Sequence, residues 1–247
     1  MKILILAAGT GSRLWPLTRN TPKSLIDLGN GMTLLESQLE AIRPSGITEV
    51  VIVTGYRSEQ IEAKIRHHEG FDFEIVYNPF FEVSNNLVSA WMAKPYIDSE
   101  FVLVNGDDVF RAEVLQRLLA SEGETTMVVS HKPEYDEDDM KVHTSGDRVH
   151  KVSKQVPQDE TNGESIGMMR FSQRGRDRIF AELDTMVRDK SNHNRYYLEA
   201  LQRIMDSGWP VKYVACKPNE WAEIDFHPDL VSLKKMLGET VDSLLPE

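Results

Sequence analysis

Hydrophobic positions along this chain fall into two alternating periods. Residues 3–6 are an unbroken run of β-formers with no polar alternation, the pattern of a strand covered on both faces in a parallel sheet. Residues 33–43 then carry apolar side chains at helical spacing behind Thr33 as N-cap, with Pro44 at the end. Residues 49–54 return to a β-rich run, 58–67 to a short helix and 73–77 to a third strand. Further on, the pattern predicts a helix over 86–94 capped by Ser84, a strand over 101–110, a helix over 111–120 and a strand over 126–130. A hairpin over 142–154 turns around Gly146-Asp147, and a strand follows over 165–171. Helical periodicity resumes over 174–187 and 196–205, before a strand over 211–216 and a last helix started by Pro228. This alternation predicts an α/β fold with a mostly parallel central sheet sandwiched by helices. No repeat, low-complexity tract or Pro/Ser-rich linker interrupts it, so a single domain over residues 1–247 is expected.

Composition narrows the class. With 40% hydrophobic and 27% charged residues, the chain can bury a core and dissolve like an ordinary globule. No apolar run approaches the roughly 20 residues of a membrane span. The opening apolar stretch is too short for a signal peptide and meets Arg13 at once, so it reads as the first strand. A single cysteine, Cys216, rules out an internal disulfide and fits a reducing cytoplasm. The net charge of −11 argues against a general nucleic-acid binder. It also means that an anionic ligand needs cations or a metal placed locally.

Candidate chemistry begins where the first strand ends, because ligands of open α/β sheets bind at the carboxyl ends of strands. After Leu6 come Ala7, Ala8, Gly9, Thr10, Gly11 and Ser12, mostly small residues whose backbone N–H groups can approach phosphate oxygens closely. Arg13 and Lys23 add positive charge, and Pro16 and Pro22 keep the segment between them extended. An ordinary strand-to-helix turn with two surface cations is the competing reading. The dinucleotide fingerprint fails at Leu14, and the P-loop pattern fails too. Downstream, Asp107 and Asp108 close an apolar strand, a costly pairing without a cation, although Asp108 could also cap the next helix. Asn78, Asn85 and Asn86 are either caps or amides suited to a nucleobase edge. Tyr196, Tyr197 and Glu199 are either core and surface residues of an amphipathic helix or a pocket wall for a cationic head group. The acidic stretch 133–139 reads as a solvated loop, and the histidines show no metal-ligand spacing.

The string from Leu6 through Leu17-Thr18, followed by Pro22-Lys23, closely resembles the signature of the nucleotidyltransferases that make nucleoside-diphosphate sugars and CDP-alcohols. The resemblance is sharp in the first 25 or so residues and at three later patches, and diffuse between them. It implies a GT-A-like Rossmannoid domain with a small β-rich substrate-covering insertion, the polar stretch 155–163 lying where such a cover sits. It places Arg13 on the triphosphate and Lys23 near the reacting phosphates and the acceptor. Asp107 in the Gly-Asp patch implies a Mg²⁺ ligand, and Asp225 in the Glu-Ile-Asp patch a second one, with Glu223 as the second choice there. Asn78 occupies a place similar to that of a base-reading glutamine. The NNxxS arrangement of Asn85, Asn86 and Ser89 resembles the cytidylyltransferase branch, with Ser84 beside it in the nucleotide site. The expected activity is Mg²⁺-dependent transfer of CMP from CTP to a small phosphorylated alcohol or phosphonate, such as phosphocholine or 2-aminoethylphosphonate. A hexose-1-phosphate nucleotidyltransferase and a catalytically silent nucleotide-binding subunit are the alternatives. Neither nucleic acid nor membrane is an expected partner, and a homodimer is left open.

Overall fold

Why the apolar run near the start anchors the molecule is visible in the computed structural model, which describes residues 1–29, 31–217 and 219–225. It forms β1 (Lys2–Ala7), and alternate residues leave it on opposite faces. Ile3, Ile5 and Ala7 enter one core with helices α1 (Leu34–Ile42), α2 (Ser58–Ile65) and α4 (Ala112–Leu119). Leu4, Leu6 and Ala8 enter the other with α3 (Asn86–Met92), α5 (Gln173–Val187) and α6 (Tyr197–Asp206). A strand with no polar face thus has helices on both sides.

Around β1 the main sheet has nine strands among the described residues. They are β2 (Glu49–Thr54), β3 (Asp72–Tyr77), β4 (Phe101–Asn105), β6 (Thr125–Ser130), β7 (Lys141–Ser145), β8 (Arg148–Val152), β9 (Gly163–Phe171) and β10 (Val211–Cys216), with β1 itself. Their order is β3-β2-β1-β4-β9-β6-β10-β8-β7. The pairs β1–β2, β1–β4, β2–β3 and β6–β10 are parallel, and β9 runs antiparallel between β4 and β6. The sheet is therefore mixed, with a parallel β3-β2-β1-β4 half and antiparallel pairings at β9 and at the β8–β7 edge, and helices enclose it in the α/β arrangement that the hydrophobic pattern predicts. Two short strands, β5 (Asp108–Phe110) and β11 (Trp221–Glu223), pair antiparallel in a separate ribbon.

Local chemistry explains the boundaries. Thr33 caps α1 in a reciprocal capping box with Glu36. The cap of α3 is Asn85, whose side chain accepts from the Asn86 N–H at 2.7 Å, while Ser84 instead donates to the Phe80 carbonyl. Asp108 is not a helix cap; it lies in β5 with its side chain buried, and α4 begins after Arg111 without a side-chain cap. The hairpin β7–β8 joins the main sheet at its edge, where β8 pairs with β10 and β7 with β9. No helix among the described residues is long and apolar enough to cross a membrane. The helix expected from Pro228 lies outside the described residues.

Candidate active site

The loop after β1 folds back on itself rather than running straight into a helix. Gly11 has φ +61°, and a Cβ there would stand 3.0 Å from Lys23 Cβ and 3.1 Å from Thr18 Cγ2. Thr18 Oγ1 donates to the Gly11 carbonyl at 2.6 Å, closing the loop. Beside it, the turn between β4 and β5 approaches as closely as backbone allows. The Gly106 N–H donates to the Leu6 carbonyl at 2.9 Å, and a Cβ on Gly106 would lie 2.5 Å from that oxygen. Two glycines therefore bring Lys23 and Asp107 to the end of β1.

The third component comes from the far end of the described chain. β11 lies along β5 with Glu223 opposite Asp108, and the Ile224 N–H donates to the Asp107 carbonyl at 3.1 Å. This register delivers Glu223 and Asp225 to Asp107, and one carboxylate oxygen from each lies within 4.8 Å of the others. Lys23 Nζ bridges two of the three, 2.8 Å from Asp107 Oδ2 and 2.5 Å from Asp225 Oδ1. Arg13 Nη1 reaches Asp225 Oδ2 at 2.7 Å.

Charges at this crossing respond to one another. Burial works to lower the Lys23 ammonium, but Asp107 and Asp225 outweigh it and hold the group above its usual range. Burial works to raise Asp225, and Lys23 and Arg13 outweigh it in the opposite direction. Glu223 is exposed on the cleft wall and makes no such pair among the described residues. Desolvation by the surrounding walls and the neighbouring Asp107 and Asp225 carboxylates raise it above the ordinary carboxylate range, with Lys23 pulling the other way. Asp108, fully buried, is raised by burial and by Asp107 and Glu223; its Oδ1 accepts from Trp221 Nε1 at 3.1 Å. Three carboxylate oxygens within 4.8 Å of one another suit a hard divalent ion, so Asp107, Glu223 and Asp225 fit the Mg²⁺ that the family resemblance implies.

Two adjoining hollows open from this crossing. One, of 240 Å³, is lined by Ala7, Gly9, Thr10, Gly11 and Ser12 together with Lys23. The other, of 330 Å³, extends past Ala8 to Ser84, Asn85, Asn86 and Tyr196. Leu6, Gly9, Arg13, Asp107 and Asp225 line both. The predicted loop, cation and carboxylate residues are thus brought together. Asn78 is not among the cleft residues: it is buried, its Nδ2 donating to Ser89 Oγ at 3.0 Å and its Oδ1 accepting from the Phe80 N–H. Tyr197 is likewise core, with its hydroxyl 3.4 Å from Asn105 Oδ1, and Glu199 pairs with Arg195 outside the cleft wall.

Several wall residues escaped the sequence reading. Lys154 lines the larger hollow, 3.3 Å from Asp138 and with its ammonium over the Tyr196 ring. Asp138 and Asp139, in the acidic stretch expected to be solvated, line it too. So does Glu164, which burial pushes up to about 7 against the opposing pull of Lys132 at 2.7 Å. The only local signal was the density of acids beside a hairpin, a pattern shared with ordinary loops.

A family model described as Nucleotidyl transferase matches residues 2–141. The chain is 27% identical, over 252 aligned positions, to the CTP:phosphoglutamine cytidylyltransferase of Campylobacter jejuni, covering 93% of this chain and 98% of that protein. It is 34% identical over 111 residues to the choline-phosphate cytidylyltransferase of Streptococcus pneumoniae, covering 45% and 47% of the two chains. Among solved structures, the inositol-1-phosphate CTP transferase of T. maritima superposes with TM-score 0.81 at 22% identity, over 99% of this chain and 98% of that one. The CTP:phosphocholine cytidylyltransferase of Streptococcus pneumoniae does so with TM-score 0.79 at 22% identity, over 96% and 98%. At these identities the superpositions bear on the fold.

Proposed function

Because the chain belongs to the nucleotidyl transferase family, we propose that it transfers CMP from CTP to a small phosphorylated alcohol or phosphonate and releases pyrophosphate. The observation that carries this reading is the meeting of Arg13 and Lys23 with Asp107, Glu223 and Asp225 at the end of β1. A triphosphate needs cations, a metal needs carboxylates, and transfer at an α-phosphate needs both within reach of one atom. Cytidylyltransferases among the relatives favour CTP as the donor.

In this reading the amides of residues 8–11 and the Arg13 guanidinium hold the triphosphate, and Ser84, Asn85 and Asn86 wall the hollow beside it. Asp107, Glu223 and Asp225 would hold Mg²⁺, which supplies Lewis-acid neutralisation of charge on the transferred phosphoryl group when bound. Lys23, released from its carboxylates, serves the oxygens of the acceptor and the α-phosphate. Lys154 and Tyr196 face the acceptor in the larger hollow. The acceptor's phosphate or phosphonate oxygen is already anionic at neutral pH, so no general base is needed. That oxygen attacks the α-phosphorus, the bond to the bridging oxygen breaks, and pyrophosphate departs with its electron pair. Alignment of two anions and neutralisation of their charge supply the rate.

A pyrophosphate-release screen tests this by crossing the four nucleoside triphosphates with phosphocholine, 2-aminoethylphosphonate, inositol 1-phosphate and glucose 1-phosphate in Mg²⁺. Release that requires CTP and a small phosphorylated alcohol or phosphonate is the expected result. Release from UTP or dTTP with glucose 1-phosphate would replace it with nucleotide-sugar synthesis, and no release in any well would overturn it.

A further inference from the structure

Helix α1 turns Leu34, Leu35, Leu39 and Ile42 inward, yet on that same face stands Gln38, at 0% exposure. A buried amide is costly wherever an apolar side chain could fill the space, so its hydrogen bonds show what it is kept for. Gln38 Nε2 donates to the Asn105 carbonyl at 2.8 Å and to the Asp108 carbonyl at 2.8 Å. Asn105 is the last residue of β4 and Asp108 the first of β5. Only Gly106 and Asp107 lie between them, so one amide nitrogen spans the turn that carries Asp107. Gln38 Oε1 has no hydrogen-bond partner among the described residues. The side chain is therefore held entirely through its donor end.

We infer that Gln38 is a positioning residue: by clamping both shoulders of the 105–108 turn to α1, it fixes Asp107 against Glu223 and Asp225. On the other side the turn is pinned by the Gly106 N–H to Leu6 and by the Ile224 N–H to the Asp107 carbonyl. Those bonds set its distance from β1 and β11, and Gln38 adds a donor to the Asn105 and Asp108 carbonyls from the side of α1. Without the amide the buried Asp108 carbonyl and the part-buried Asn105 carbonyl each lose a donor, and the turn must shift to recover one. Such a shift moves Asp107, whereas an apolar side chain of the same length at position 38 keeps contact with the buried Leu34, Leu35, Leu39 and Ile42 face of α1. The inference rests on the proposed metal-binding role of the three acids for one of its two readouts.

Gln38→Met keeps length and removes the donor; Gln38→Leu, shorter and likewise without a donor, serves if the first variant fails to fold. Mn²⁺ binding, followed by water-proton relaxation, is measured on wild type, Gln38→Met and Asp107→Asn, with melting temperature alongside. Gln38→Met should bind Mn²⁺ at least tenfold more weakly while melting within a few degrees of wild type. A crystal structure of the variant gives the readout that needs no metal: the separation of Lys23 Nζ and Asp107 Oδ2, 2.8 Å in the wild type, should open beyond hydrogen-bond reach. An unchanged separation overturns the inference, as does wild-type Mn²⁺ affinity in Gln38→Met when Asp107→Asn is impaired. If Asp107→Asn binds Mn²⁺ as wild type does, the metal reading of the acids fails, and the crystal structure alone decides the role of Gln38.

Discussion

Asp225 takes both a lysine and an arginine, and its substitution is the most direct probe of the site. Asp225→Asn and Asp107→Asn should each lower turnover by at least about 10²-fold, or about 2.7 kcal/mol of barrier, if neutralisation of phosphate charge carries several kcal/mol. Steady-state kinetics at saturating CTP and acceptor check this, and a near-wild-type Asp225→Asn enzyme removes that residue from the proposed machinery. Glu164 makes a different claim, about stability. Its folded-state value of about 7 lies above the ordinary 4.5, so between these limits the folded chain binds more protons than the unfolded one. Stability from this group is fully present below about pH 4.5 and is lost as pH rises to about 7. The melting temperature of Glu164→Gln minus that of wild type should therefore be larger at pH 8 than at pH 5. A difference that stays constant with pH would show that Lys132 holds Glu164 ionised throughout.

At the scale of elements, the close contact between the 105–108 turn and β1 decides whether the site exists. Gly106→Ala would drive a methyl group into the Leu6 carbonyl at 2.5 Å and toward the Ala7 Cα at 3.0 Å. Both are backbone atoms that cannot swing aside, so a stability loss of about 2 kcal/mol or more is expected, together with loss of turnover. Chemical denaturation and the pyrophosphate assay on one preparation measure the two effects. The elements themselves were largely legible in the sequence, because periodicity and caps are local: β2 and β10 fall at their expected bounds, and Thr33 caps α1 as expected. The loop after β1 was legible for the same reason, its glycines and cations being near neighbours. What stayed hidden depends on which distant segments meet. Neither the β5–β11 ribbon nor the bridge of Lys23 to two acids has a local signature, and Glu223 ranked only as a second choice behind Asp225. Asn78 misled for a physical reason: an amide at a strand end can read a base or close its own turn, and here its groups bond Ser89 and Phe80.

Across the described residues, one nine-stranded sheet joins the first strand to β10 without a break, with a core on each face. A single folding unit is the reading this supports, and scanning calorimetry should show one transition with calorimetric and van't Hoff enthalpies in agreement. Two resolved transitions would divide the chain into domains. The long-range closure of the site has a further consequence, in time rather than in space. Lys23 is made 202 residues before the Asp225 that it pairs with. At ~5–20 residues per second, a ribosome needs roughly 10–40 s to cover that interval. Throughout it, the growing chain carries the loop after β1 and, from residue 107 on, Asp107, but neither Glu223 nor Asp225. Unfinished chains can therefore begin to fold around β1 without a complete set of acids, and the reaction waits for one of the last described strands to be made.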